Sequence, residues 1–372
     1  MNTCFDDIRH YTDSEMREAM TRIVKYDELK SIVSYAFPDC SFEDFVKHLL
    51  AIESTAQLQH EIMVEGMKVV IEKTMTSFSF SGLENIDPHK AYLYISNHRD
   101  IVLDAYLLQC ILDTHGMSTT RITFGSNLMK NEFLRELGLC NKMFRTERAG
   151  TAKQFYASML HLSDYINHSI LQDNESIWIA QRGGRTKDGY DLTDPALIKM
   201  LGMQSPHRDI VQGYNALNIV PLSISYEWEP CDSLKAIELC KSENGEYVKS
   251  KNEDLNSIVT GIVQPKGEVH LTIGTPISLD EISNFPTNRN DFCIAMAALL
   301  DSRINGGYHL SPNNFIAYDM MNGSRKYAEK YTPSQYETFS RRLDEVLAEN
   351  PNLDTQKLRR YFLEIYACAV RN

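Results

Sequence analysis

The sequence predicts an α/β protein: a mixed, largely parallel sheet flanked by helices, with helical N- and C-terminal extensions. Three observations predict it. Short apolar runs of strand length alternate with helical segments between Tyr92 and Gly274, the grammar of β–α–β units. Before this stretch, apolar residues recur at helical spacing. After Asn290 they do so again. The expected organisation is a helical region over 1–80, an α/β domain over 81–290 and a helical region over 291–372.

The elements follow in chain order. Thr12 and Glu15 make a capping-box pattern ahead of Met16, Ala19, Met20, Ile23 and Val24. A second helical stretch starts near Ser41, with Phe42, Phe45, Val46, Leu49 and Leu50 on one face, and runs, with breaks, to about Met75. Strands are expected at 91–96, 121–124, 176–181, 218–225 and 268–274. Leu128, Phe133 and Leu137 mark a helix that stops at Gly138. Asp194 caps another, with Pro195 at its first position. The polar stretch from Glu229 to Leu255 reads as an excursion or long hairpin outside the core. The last two helices run from about Thr332 to Ala348 and from about Thr355 to Val370.

Composition narrows the function. The 372 residues carry 38 Lys/Arg against 50 Asp/Glu, a formal charge of −12. That balance argues against a nucleic-acid coat. Residues 117–199 hold 11 Lys/Arg against 9 Asp/Glu, so the remainder carries −14. An anionic ligand is therefore least repelled by the middle of the chain. No apolar run approaches the ~18 residues of a membrane-spanning helix. The start, MNTCFDDIRHY, lacks the basic and apolar segments of a secretory leader. The eight cysteines form no CxxC or zinc spacing and read as reduced thiols of a cytosolic protein. No metal-ligand spacing is present among the histidines.

Four segments carry chemistry. The run YLYISNHRDIVLDAYLLQCIL passes from strand to helix and leaves His98 in the turn beyond the strand, where α/β proteins place ligands. Histidine titrates near neutrality and serves as a general base when a carboxylate fixes its tautomer. Asp100 and Asp104 are both near. Asp104 is six residues on, about 120° off the same helical face at ~100° per residue. The two meet only if His98 folds back over the helix start. Two turns then carry arginine. Arg145 and Arg148 precede Gly150, and Arg182, Gly183, Gly184 and Arg185 follow the strand SIWIAQ. Glycines let a backbone approach a ligand, and the guanidinium fork suits phosphate. Finally, Pro221 interrupts the strand IVPLSIS, which implies an edge or an irregular ladder.

In this order, SNHRD, the Phe144–Arg148 turn, RGGR and IVPLSI resemble the glycerolipid acyltransferase family over about Tyr92 to Tyr226. The resemblance implies transfer of an acyl chain from an acyl-thioester, on coenzyme A or acyl carrier protein, to a hydroxyl. It implies His98 as general base and Asp104 as its partner. It places the phosphate-binding arginines on Arg148 and Arg185, and the donor-side strand on Val220, Pro221 and Leu222. The chain departs from the family pattern at three points. Five residues, not four, separate His98 from Asp104, which puts Leu103 in the usual aspartate slot and keeps Asp100 a substitute. The second turn is one residue longer, so Arg145 competes with Arg148. Arg182 or Gly183 stands where the family has a glutamate.

The expected acceptor is glycerol-3-phosphate, lysophosphatidate or a related lyso-lipid. The expected partners are acyl-CoA or acyl carrier protein and a membrane surface, with no permanently bound cofactor. The protein is expected on the inner face of the cytoplasmic membrane, attached peripherally. Two other readings remain: an inactive lipid- or carrier-binding homologue, and a thioester or ester hydrolase. A serine hydrolase elbow, G-x-S-x-G, is missing from the sequence.

Overall fold

The computed structural model describes residues 5–147, 150–243, 245, 247, 249–250 and 252–370. Its centre is a seven-stranded sheet in the order β1-β7-β6-β2-β5-β3-β4. The strands are β1 Met75–Ser81, β2 Leu93–Ser96, β3 Arg121–Gly125, β4 Met143–Thr146, β5 Ile177–Ala180, β6 Ile219–Tyr226 and β7 Gly267–Ile273. Every pairing is parallel except β6 with β7. The mixed, largely parallel α/β fold is therefore present.

Alternation along the strands builds two cores. Leu93, Ile95, Ile177, Ile179 and Ile219 face one side, against helices Ala152–Leu171 and Arg289–Gly306. Tyr94, Trp178, Val220, Leu222 and Ile224 face the other, against Leu103–Thr114. Burying each such side chain contributes about 1.5–3 kcal/mol. Two further clusters lie off the sheet. One joins the N-terminal helices to Phe133 and Cys140. The other joins the C-terminal helices to Ala236 and Cys240.

Two expectations are corrected, and two alternatives are decided. The helical region ends at Thr74, because Met75–Ser81 is an edge strand of the sheet. Its SFSFS alternation is the period of a half-exposed strand. Helix Arg289–Gly306, expected at the start of the helical C-terminal region, packs in the sheet core. Glu229–Leu255 holds no hairpin among its described residues, since Asp232–Ser242 is a helix. Pro221 does not mark an edge, because β6 lies between β2 and β7. The ladder is irregular instead. Gly274 donates its N–H to the Pro221 carbonyl at 2.9 Å, and the reciprocal bond is the one proline cannot make. The β6–β7 register starts one residue later, at Leu222 with Ile273.

Candidate active site

The site grows from the end of β2. Ser96 accepts the N–H of Gln181 at 2.7 Å, tying β2 to the loop after β5. The Asn97 side chain then acts as a strand extension: Oδ1 accepts from the Ile224 N–H at 2.8 Å, and Nδ2 donates to the Ile224 carbonyl at 2.9 Å. With Asn97 anchored on β6, the chain turns back before helix Leu103–Thr114 begins.

That turn brings His98 and Asp104 together. His98 Nδ1 lies 2.9 Å from Asp104 Oδ2. The same oxygen accepts the N–H of Arg99 at 2.6 Å and of Asp100 at 2.9 Å. Tyr226, the last residue of β6, donates its hydroxyl to Asp104 Oδ1 at 2.8 Å. Asp104 is fully buried, and these four donors offset the desolvation of its charge. Since the carboxylate accepts at Nδ1, the proton sits there and Nε2 carries the lone pair. His98 is 9% exposed and rests edge-on against the Trp178 ring at 5.6 Å.

Asp100 does a different job. Its Oδ1 caps the turn by accepting the N–H of Val102 and Leu103, each at 2.8 Å. Its Oδ2 has no partner and points at Gly261, where a Cβ would stand 2.1 Å away. Burial, then the Asp104 charge, push the Asp100 carboxyl upward. Asp100 is thus a buried capping group and not the partner of His98.

His98 opens into a cavity of about 750 Å³. Its walls are mostly apolar, with Met20, Leu49, Ile62 and Val70 from the N-terminal helices and Ile258 and Ile262 from Glu253–Val263. Gly183, Gly184 and Arg185 line the same space. Gly184 adopts φ +87°, which favours glycine. Arg185 is 9% exposed, and its Nη1 lacks a hydrogen-bond partner. Cys231 sits beside it, and burial pushes that thiol up to about 11, so it is no nucleophile near neutrality.

The other expected residues fall elsewhere. Arg145 pairs with Glu147 at 2.5 Å and does not line the cavity. Arg148 lies outside the described residues. Arg182 donates to the Tyr190 carbonyl at 3.4 Å, away from the cavity wall. Pro221 is buried in the sheet and is not a wall residue either. Trp178, Tyr226 and the N-terminal lining were not anticipated. Tyr226 directly follows the IVPLSIS run, which is the one local hint of its place. Among the described residues, no group of three or more His, Cys, Asp or Glu could hold a metal ion.

Residues 77–225 match the family model described as Acyltransferase. They are an acyltransferase domain. The matched segment contains the His98 turn, the arginine loop and nearly all of β6. A solved structure described as the 1-acyl-sn-glycerophosphate (LPA) acyltransferase PlsC from Thermotoga maritima also matches, at 12% identity over 77% of this chain and 97% of that one, with a TM-score of 0.37. No curated protein matches the sequence. Helices Leu103–Thr114 and Glu132–Cys140 wall the cavity from within the matched segment, and the remaining helical wall comes from before Ser77 and after Ser225.

Proposed function

We propose that this protein transfers a fatty acyl group from an acyl-thioester, on coenzyme A or acyl carrier protein, to the hydroxyl of glycerol-3-phosphate, lysophosphatidate or a related lyso-lipid. One observation carries the reading: a buried His–Asp pair opens into a large apolar cavity that also contains a nearly buried, unpaired arginine nitrogen. The apolar walls accept the chain. His98 Nε2 takes the acceptor's hydroxyl proton as that oxygen attacks the thioester carbonyl; the tetrahedral intermediate then breaks its C–S bond and His98 returns the proton to the departing thiolate, without a covalent enzyme intermediate. Arg185 holds the anionic group of the acceptor. Backbone N–H groups at Gly183 and Gly184 are the donors suited to the tetrahedral oxyanion.

The product is membrane-resident, and a peripheral position on the inner face of the cytoplasmic membrane suits it. Among the described residues, no helix is long and apolar enough to cross a bilayer. Ile32, Val259 and Val263 line the cavity and are also exposed, so an apolar rim surrounds its mouth. Such a rim supports a mouth facing lipid.

The deciding experiment mixes the protein with labelled acyl-CoA or acyl carrier protein and a panel of glycerol-phosphate and lyso-lipid acceptors. A lipid product supports the reading. Free acid alone makes the protein a thioesterase, and no turnover with retained ligand binding makes it an inactive homologue. Gly183→Glu refines the acceptor, since a Cβ there meets nothing within 4 Å and a glutamate fits. A shift of preference toward glycerol-3-phosphate is expected.

A further inference from the structure

Behind the catalytic turn, four charged side chains from separate parts of the chain meet out of water. Arg99, Asp191, Glu229 and Lys235 are each 1% exposed. Arg99 donates to Asp191 through Nε at 3.0 Å and Nη2 at 2.5 Å, and faces Glu229 through Nη1 at 3.4 Å. Lys235 Nζ donates to Glu229 at 2.6 Å and to the Arg99 carbonyl at 2.6 Å. Two cations thus face two carboxylates.

The hydrogen bonds of this quartet converge on the peptides around His98. The Arg99 carbonyl is held by Lys235. The His98 carbonyl accepts the Thr186 N–H at 2.7 Å, and the Thr186 hydroxyl donates to Asp191 at 2.7 Å. Lys235 and Glu229 lie outside the acyltransferase segment. Lys235 is on helix Asp232–Ser242, whose Asp232 accepts from Arg342 at 2.8 Å and from the Tyr366 hydroxyl at 2.9 Å. The C-terminal helices therefore reach the catalytic turn indirectly through Lys235 and directly through the Ile365 carbonyl, which accepts from Arg99 Nη1 at 3.5 Å.

Buried ion clusters are a poor source of net stability, because desolvation cancels most of the attraction. What they supply is direction. We infer that Lys235 and Glu229 are positioning residues: they fix the Arg99–Asp100 peptide, whose N–H donates to Asp104, and through that turn the aim of Nε2 into the cavity. This rests on the acyltransferase reading for its catalytic consequence, though not for its structural one. A misplacement of about 1 Å costs on the order of 10²-fold in rate.

The test compares wild type, Lys235→Met, Lys235→Arg and Glu229→Gln by amide hydrogen exchange and by steady-state kinetics. In Lys235→Met, exchange over residues 97–104 should accelerate at least ~10-fold while β3 keeps its protection. The kcat should fall by roughly 10- to 100-fold with both Michaelis constants nearly unchanged. Lys235→Arg should recover part of the rate, and Glu229→Gln should show the same pattern, more weakly. If Lys235→Met does not fold, Glu229→Gln decides. Unchanged exchange at 97–104 with kcat within about twofold of wild type overturns the inference. So does a uniform loss of protection across the sheet, which marks a general structural role. A wild-type protein that transfers no acyl group sinks the proposed function, while the exchange pattern still judges the brace.

Discussion

The helices between Asp13 and Thr74 present Met20, Leu49, Ile62 and Val70 to the cavity beside His98. Those between Pro312 and Ala367 contribute nothing to its described wall and instead hold the helix that carries Lys235. Both sets look alike as sequence, with apolar residues at helical spacing and polar ones between. The N-terminal set leaves part of its apolar face against empty volume. The C-terminal set closes its own, with Phe339, Leu343, Phe362 and Tyr366 fully or almost fully buried. One addition leaves a cavity beside His98, and the other anchors the helix whose Lys235 donates to the Arg99 carbonyl. An unfilled cavity costs stability, and the N-terminal arrangement carries that cost.

The largest expected effect lies where the two meet. His98→Ala should lower kcat by about 10²–10⁴-fold while the protein stays folded, because the residue sits in a turn. Activity above about a tenth of wild type would remove His98 from the base role and leave the cavity without its chemistry.

The next tests the seam between the N-terminal helices and the sheet. Lys266 is fully buried and donates to the Thr74 hydroxyl at 3.0 Å and to the Gln264 carbonyl at 2.6 Å. Desolvation lowers it from 10.5 to about 8. Between those values the unfolded chain binds the proton and the folded one does not, so stability rises with pH there. The unfolding free energy of wild type, relative to Lys266→Met, should therefore climb by about 3 kcal/mol between pH 8 and 10.5. It should be flat below that window, where the cost is fully present. Denaturant titrations at several pH values measure it, and a difference independent of pH would mean the seam keeps Lys266 hydrated.

Arg185→Ala comes third. Loss of a charge-assisted contact costs about 1.5–3 kcal/mol, so the acceptor's KM should rise on the order of 10- to 100-fold and the donor's should barely move. Lysine should rescue in part, since it keeps the charge without the fork. Equal effects on both substrates would place Arg185 on the donor side. The smallest effect belongs to the N-terminal set alone. Gly66 lies inside helix Glu65–Thr74, and a Cβ there would meet Phe37 Cζ at 3.4 Å and Ala36 Cβ at 3.6 Å. Gly66→Ala should stabilise the protein by about 0.5–1 kcal/mol, read as a higher Tm. A lower Tm would show that the cavity wall has no slack.

Much of the fold is legible in the chain. The apolar runs at β2, β3, β5, β6 and β7 announce themselves, because buried parallel strands need continuous hydrophobic stretches. β4, MFRT, has only two apolar residues and does not rise above its surroundings. β1 carries a readable SFSFS alternation, overshadowed by the helical period before it. At the site, the chemical groups are legible and their pairings are not. Nothing in the spacing separates Asp100 from Asp104, and Arg145 looks as suited to a phosphate as Arg185.

The sequence by itself determined the local periods, the glycines and caps that end elements, and the supply of a histidine, carboxylates and arginines near strand ends. These are short-range properties, set by backbone geometry and side-chain size. Only the tertiary structure decided which carboxylate meets His98, which arginine nitrogen is left unpaired, and that Lys235 braces the turn from 136 residues away. It also decided that one set of apolar helices would enclose a cavity. Such outcomes depend on burial and distance, because the same charge is worth little in water and a great deal out of it.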